Sequence, residues 1–214
     1  MRRTKAEAEE TRARLLDVAE RLFFECGTSA VTFDKIAAAA GVTRGAVYWH
    51  FANKAELMRA LDELTALPAE EMFALAITEE PDEPLEMVLQ VALKCLRLIA
   101  GDERRQRIYT VLFRCEYRGD LAPMLQRDRE TARRHYFQLV SLFELARAKG
   151  QLAPHWAPAT AAKLCQGFLT GILYDWLKDR DAFDLVTHAE EALTALFASF
   201  RGAGSGSRSG PGAA

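Results

Sequence analysis

Apolar residues recur every three or four positions along most of the chain, which is the spacing of one face of an α-helix. The stripe through Leu15, Val18, Leu22 and Cys26 predicts a first helix over 7–26, which Gly27 ends. Similar stripes predict later helices at about 84–100, 103–117, 121–149 and 158–177, and a last one running to Phe200. No window alternates apolar and polar residues as a half-buried strand does. We therefore predict an all-α chain of about nine helices.

Two very short helices joined by a tight turn interrupt this pattern. Thr32 is a predicted N-cap for a helix that runs to Ala40, and Gly41 ends it because glycine enters the left-handed region at no steric cost. Thr43 is the next predicted N-cap. Asn53 is a third, with Glu56 in the position of a capping box. Two short helices with a glycine-containing turn are the sequence form of a helix-turn-helix.

The second of these helices has two distinct faces. At 100° per residue, Val47 and Phe51 share the face that points into a core. The opposite face carries Gly45 and Trp49, flanked by Ala46 and Tyr48 and followed by His50, so large rings stand outward beside a bare glycine. Exposure of such rings to water is unfavourable, so the pattern favours contact with another molecule. The alternative is that the rings pack under the first helix. Thr43 and Arg44 begin the helix, where a recognition helix presents its groove-reading residues.

A longer helix is predicted to start at Lys54, with Leu57, Leu61 and Leu64 facing inward. A cation in the first turn opposes the helix dipole, which a bound phosphate would reverse. Pro68 either bends this helix or marks the place where two helices meet.

Composition narrows the class of protein. The 214 residues carry a net charge of -2, which excludes a generally basic, sequence-indifferent nucleic-acid binder. The four histidines are isolated, and the chain has no HExxH, no GxSxG and no phosphate-binding loop. We therefore predict that it is not an enzyme and expect no cofactor and no metal.

The four cysteines are Cys26, Cys95, Cys115 and Cys165, and they have neither CxxC nor metal-ligand spacing. With no signal peptide or membrane-spanning run, we expect free thiols, a cytoplasmic location and no membrane partner. Cys115, beside Arg114 and Glu116, leaves a redox role open.

The sequence VTRGAVYWHFANKAEL resembles the DNA-binding signature of the TetR family of bacterial repressors. The run RRTKAEAEETRARLLDVAERLF and the later RCEY are similar to its branch of multidrug-efflux regulators, the AcrR and TtgR type. The resemblance is strong over residues 3–60 and weaker beyond. It implies a three-helix DNA-binding domain at 1–53, with a disordered basic arm at 1–6, and a ligand-binding and dimerisation domain at 54–201. The Gly/Ser-rich tail 202–214 is predicted to be disordered or a cloning remnant.

The DNA contacts implied by the motif are the following: Thr32, Thr43, Arg44, Gly45, Ala46, Tyr48, Trp49, His50 and Lys54. The family also implies a homodimer built by the last two helices. Between Pro158 and Leu177 apolar residues form two stripes, and Gly167 and Gly171 allow close approach of a second helix. Leu193, Phe197 and Phe200 form the matching stripe of the last helix. The alternative is that all these stripes face one chain's own core.

A repressor of this kind needs an effector site, and large apolar or aromatic residues of the middle helices suit a flat hydrophobic compound. The candidates, with the polar residues among them, are Met72, Phe73, Leu93, Gln106, Arg107, Tyr109, Phe113, Glu116, Phe137, Gln166, Phe168, Asp175 and Trp176. Asp175 is either a paired buried carboxylate or a contact for a cationic compound. Ala66 stands where some relatives carry an acidic ligand contact, so the effector's identity does not transfer.

The leading hypothesis is therefore a homodimeric repressor that binds double-stranded operator DNA, controls a multidrug efflux operon and is released by a hydrophobic or aromatic small molecule. One alternative is a regulator of the same family that serves a metabolic or redox response. The other is a helical adaptor that binds a protein through its exposed aromatic rings.

Overall fold

The structure is a computed structural model that describes residues 5–201, so residues 1–4 of the predicted arm and the predicted tail 202–214 lie outside it. The described residues form ten α-helices, one more than expected, with a 3₁₀ turn at Gly119–Leu121 and no strand. The helices are α1 (Lys5–Cys26), α2 (Phe33–Ala40), α3 (Arg44–His50), α4 (Lys54–Glu63), α5 (Ala69–Glu79), α6 (Pro84–Ala100), α7 (Glu103–Arg114), α8 (Ala122–Ala148), α9 (Pro158–Lys178) and α10 (Leu185–Arg201). The all-α prediction is confirmed.

The helices group into two compact units. The first takes the described residues of Met1–Leu67 together with Ile99–Ala132, and the second takes Pro68–Leu98 with the described residues from Arg133 onward. These packing units do not coincide with the predicted functional division at residues 53 and 54, which remains a prediction.

The core of the first unit joins α1 to α4 with α7 and the start of α8. Its fully buried side chains include Leu15, Ile36, Val47, Phe51 and Leu57. These are the inward stripes expected from the sequence, and they fix which face of α3 remains outside.

A buried carboxylate connects α1 with α7. Glu20 is 2% exposed, and its two oxygens each accept a hydrogen bond of 2.8 Å, one from Arg104 Nε and the other from Arg107 Nε. Arg104 also pairs with Asp17. A carboxylate this deeply buried is tolerated because both of its oxygens meet a cation.

At the junction after α4 the structure shows the second of the two alternatives for Pro68, in which two helices meet. The helix ends at Glu63, and Pro68 caps α5, so two helices replace one bent helix. Arg105 of α7 donates to the carbonyls of Thr65 at 3.0 Å and Ala66 at 3.1 Å, which satisfies acceptors that a continuous helix would have used internally. The expectation that Leu64 faces inward is wrong: it follows the last helical residue and is 40% exposed.

Three other helix boundaries move by a few residues. Helix α1 begins at Lys5, so Lys5 and Ala6 are helical rather than part of a disordered arm. Helix α7 ends at Arg114, because Cys115 is already extended, and the 3₁₀ turn precedes α8.

Aromatic rings of α8 and α10 pack against one another in the core of the second unit. The ring centroid of Phe143 lies 6.2 Å from that of Phe197 and 5.2 Å from that of Phe200. The Phe200 ring also meets Trp156 at 5.2 Å. Both apolar stripes of α9 contribute to the buried core of this unit, through Ala161, Cys165 and Trp176 on one and Ala162, Leu173 and Leu177 on the other.

Candidate nucleic-acid interface

Side-chain caps hold α2, α3 and α4 at the predicted places. The Thr32 hydroxyl accepts from Lys35 N–H at 3.3 Å, and the Thr43 hydroxyl accepts from Ala46 N–H at 3.2 Å. Gly41 has φ of 65°, the left-handed value that ends α2. These local bonds explain how helices of eight and seven residues persist.

The capping box at the start of α4 is also present. Asn53 Oδ1 accepts from Glu56 N–H at 2.9 Å, and the Glu56 carboxylate accepts from Ala52 N–H at 2.7 Å. The three N-caps predicted from Thr32, Thr43 and Asn53 are therefore confirmed.

One face of α3 is anchored and the other is open. Val47 is fully buried, Phe51 follows it into the core, and the guanidinium of Arg12 lies 5.2 Å above the Phe51 ring. On the other side Tyr48 is 47% and Trp49 72% exposed. The alternative in which the rings pack under the first helix is wrong for Trp49, whereas the Tyr48 ring packs partly against Phe33 of α2.

Next to its exposed rings, the open face of α3 has a stretch of accessible backbone. Thr43, Arg44 and Gly45 are exposed, whereas Ala46 and His50 are half-buried. A Cβ added to Gly45 would meet nothing nearer than the Thr43 hydroxyl at 3.9 Å, so the chain's own packing does not require a glycine. The backbone of Gly45 is therefore open on this face.

Arg44 is held by three contacts on this surface. Its guanidinium pairs with Asp34 of α2 at 3.3 Å, donates to the Tyr48 hydroxyl at 3.3 Å, and lies 5.3 Å from the Tyr48 ring centroid. These partners raise the pKa of Arg44, first through the Tyr48 hydrogen bond and then through the Asp34 charge. Asp34 was not among the predicted site residues, and no sequence signal pairs it with a residue ten positions later.

Lys54 lies at the start of α4 but is not a bare cation. Its ammonium donates to the carbonyl of Thr28 at 2.9 Å, which links α4 to the turn after α1. An ammonium has three donors, so two of its N–H groups are not used by this bond. The predicted phosphate contact therefore needs no rupture of the bond to Thr28.

Cys115 lies close to Lys54 but lacks the character of a redox sensor. The thiol is half-buried, and burial raises its pKa although the Thr28 hydroxyl and the Lys54 charge act in the opposite direction. A redox-sensing cysteine needs a lowered pKa. The structure thus gives the redox alternative no support.

The candidate effector residues are divided between the two units. Arg107, Tyr109, Phe113 and Glu116 belong to the first unit, and the remainder of the predicted block belongs to the second, namely Met72, Leu93, Phe137, Gln166, Phe168, Asp175 and Trp176. Leu93 and Trp176 are buried, Phe168 is half-buried, and Phe137 is exposed beneath the guanidinium of Arg133. Met72 lines an open groove of about 420 Å³ with Gln90, Lys94, Arg97 and Leu98.

Four of the polar candidates have partners within the chain, and one of them is Gln166, whose side-chain oxygen accepts from Lys163 at 3.1 Å. The Asp175 side chain is 70% exposed and pairs with Lys178, so the alternative of a buried carboxylate is wrong. Arg107 is bound to Glu20. Gln106 donates to the last carbonyls of α6, and Glu116 is exposed in the segment after α7. Glu20 was not among the predicted residues. Its position one helical turn from both Leu16 and Phe23 indicates a buried carboxylate that is paired with a cation.

The candidate dimer residues also separate into two groups. Leu193, Phe197 and Phe200 are fully buried in the chain's own core, so the expectation that they form a partner-facing stripe is wrong. Gly167 and Gly171 are exposed, and a Cβ added at either would meet nothing within 4 Å. Leu164 and Tyr174 are exposed on the same helix.

Within residues 5–201 no group of three or more metal-ligating side chains comes together, and no helix has the length and apolarity to cross a membrane.

Comparison with known proteins gives consistent matches over nearly the whole chain. Residues 15–61 match the family model described as bacterial regulatory proteins, tetR family, and residues 83–201 match the C-terminal region of MAATS-type transcriptional repressors. The HTH-type transcriptional repressor BepR of Brucella suis biovar 1 (strain 1330) is 37% identical over 94% of this chain and 97% of its own length.

Two solved structures extend the comparison to the fold. NalD, the secondary repressor of the MexAB-OprM multidrug efflux pump in Pseudomonas aeruginosa, is 33% identical with a TM-score of 0.83, covering 92% of this chain and 98% of its own. SmeT of Stenotrophomonas maltophilia in complex with triclosan is 28% identical with a TM-score of 0.80, covering 91% of this chain and 93% of its own.

Proposed function

This chain belongs to the TetR family of bacterial regulatory proteins, and we propose that it is a homodimeric, ligand-responsive repressor of a multidrug efflux operon. The open face of α3 carries this proposal. Tyr48 and Trp49 expose large rings beside the bare backbone of Gly45, and the buried Val47 and Phe51 hold that face outward.

Each α3 enters the major groove in this proposal, with its open face, residues 43–46 and 48–50, turned toward the base edges. Tyr48 and Thr43 supply hydroxyl groups, and Arg44 supplies a fork of donors that suits a guanine edge. The ammonium of Lys54 binds a phosphate with the donors that Thr28 does not use. A net charge of -2 fits a protein that makes few phosphate contacts and reads base edges to gain specificity.

The dimer forms through the exposed side of α9. The glycines at 167 and 171 let a second helix approach closely, and Leu164 and Tyr174 supply apolar area beside them. Two copies of α3 then read half-sites about one helical turn (~34 Å) or a multiple of it apart.

The effector is a hydrophobic or aromatic small molecule that binds the body, residues 54–201. SmeT, which resembles this chain in fold, forms a complex with triclosan, an aromatic compound. Effector binding lowers DNA affinity because the effector prefers the conformation that does not fit the operator. The efflux assignment rests on the likeness to NalD, and the cytoplasm is where such a protein meets its DNA.

Fluorescence anisotropy with the full chain tests the proposal. Duplexes from the regions upstream of its own gene and of neighbouring transporter genes serve as probes, with a random-sequence duplex as the control. We expect salt-dependent binding to one upstream duplex, weak binding to the control, and release by an aromatic compound such as triclosan. Equal binding to all duplexes contradicts a repressor, and no binding to any favours the adaptor alternative.

A further inference from the structure

The acidic residue on the DNA-facing surface calls for an explanation of its own. Asp34 lies in the first turn of α2, and its side chain is 61% exposed, as that of Arg44 is 60%. A carboxylate on a surface that meets phosphates repels them and lowers the affinity for DNA of any sequence. An exposed ion pair, on the other hand, contributes little to folding. A carboxylate in the first turn of α2 also favours that helix through its dipole, but this gain requires no contact with Arg44. Neither affinity nor stability therefore accounts for the pairing of Asp34 with Arg44.

The contacts around Asp34 restrain two side chains of the open face together. The carboxylate holds the Arg44 guanidinium at 3.3 Å, and the same guanidinium donates to the Tyr48 hydroxyl. The Tyr48 ring also meets the ring of Phe33, the neighbour of Asp34, at 5.0 Å in an edge-to-face arrangement. Helix α2 thus positions Arg44 through the charge of Asp34 and Tyr48 through the ring of Phe33.

We propose that Asp34 is a specificity-determining residue of the interface, which acts by restraining Arg44. Held by Asp34, Arg44 has its charge partly neutralised and is a poor partner for a single phosphate oxygen. Partial neutralisation weakens the charge attraction between Arg44 and a phosphate. The two neutral acceptors of a guanine edge still match the fork of guanidinium donors in geometry, so the contact with a base is weakened less. Asp34 is a positioning residue in this scheme. The inference rests on the proposed DNA-binding function.

The test compares Asp34→Asn with the wild-type chain on two probes. The specific probe is the duplex enriched from a random pool by the wild type, and the non-specific probe is poly(dI-dC). In Asp34→Asn we expect the affinity for poly(dI-dC) to rise several-fold, with a salt slope steeper by about 0.9, the value of one phosphate contact. The ratio of specific to non-specific affinity should fall about tenfold, roughly the value of one base contact. Asp34→Glu should restore most of the ratio.

Two further variants separate this role from simpler ones. Glu191→Gln changes the net charge by the same amount on the exposed side of α10 and should leave the ratio unchanged. In an Arg44→Ala background, Asp34→Asn should have no further effect on the ratio. An effect that persists there means that Asp34 reads a base directly and overturns the inference.

The remaining outcomes distinguish a failure of the inference from a failure of the proposed function. If the wild type discriminates between the probes and Asp34→Asn discriminates equally well, the inference fails while the proposed function stands. If the wild type does not discriminate at all, the proposed function fails and the inference with it. Equal melting temperatures of the variants exclude a folding defect as the cause.

Discussion

Two arginine–carboxylate clusters of the first unit have the same chemistry and opposite surroundings. Glu20 is buried and meets two arginines of α7, whereas Asp34 is exposed and meets one arginine of α3. Desolvation makes the buried carboxylate depend on its partners, because water cannot replace them. Water can replace either partner in the exposed pair at little cost. The buried cluster therefore contributes to folding, and the exposed cluster is available for binding.

The largest effect should come from removing both partners of the buried carboxylate. Arg104→Ala with Arg107→Ala leaves Glu20 charged and unpaired, and we expect the free energy of unfolding to fall by about 3–5 kcal/mol. Glu20→Ala should cost less, about 1–3 kcal/mol, because the two arginine side chains are 40% and 32% exposed and can reach water. Urea unfolding measures both. A larger loss in Glu20→Ala than in the double variant contradicts this view of the cluster.

Removing one exposed ring should affect binding more than folding. We expect Tyr48→Ala to weaken operator binding by about 1–3 kcal/mol, the size of a lost groove contact. Leu75→Ala, which truncates another exposed apolar side chain on α5, serves as the control and should bind as the wild type does. Gel-shift titration measures the change. Unchanged binding by Tyr48→Ala removes this residue from the interface.

Gly45→Ala should raise the stability of the chain and weaken its binding to the operator. Alanine favours the helix, and the added Cβ has room at 3.9 Å, so we expect a gain in stability of up to about 1 kcal/mol together with weaker operator binding. Gly41→Ala is the matched control: at φ of 65° alanine is strained, and stability should fall by about 1–2 kcal/mol. Thermal melting and anisotropy follow the two quantities. A Gly45→Ala chain that binds as tightly as the wild type refutes the close backbone approach.

Lys54→Ala should give the smallest effect, a loss of a few-fold in affinity that is the same for operator and random DNA. The salt slope should become shallower by about 0.9, the value of one phosphate contact. A titration of anisotropy against salt concentration measures the slope. If the slope is unchanged, the bond from Lys54 to the Thr28 carbonyl is its main role.

The short helices could be predicted from the sequence because their signals are local. Thr32, Gly41, Thr43 and Asn53 each act on a backbone group within a few residues, so spacing alone identifies them. The exposed rings of Tyr48 and Trp49 followed from helical periodicity and the two buried neighbours. The family resemblance drawn from the same segment is confirmed by the family models.

The wrong predictions depend on contacts between distant segments. The stripe of Leu193, Phe197 and Phe200 shows that α10 has a buried face, but periodicity does not say whether the same chain or a second one buries it. Phe143 and Trp156 do so here. Arg107 was likewise assigned to an effector because its partner, Glu20, is eighty-seven residues away.

The exposure of Trp49 has a practical consequence. The chain has three tryptophans, and the other two, Trp156 and Trp176, are half-buried and buried. An indole in water emits at longer wavelength than one shielded from it, so the red edge of the emission spectrum comes mainly from Trp49. Binding of a duplex against α3 would dim and shift that edge. The native chain therefore carries its own optical probe for the association step, without any attached dye.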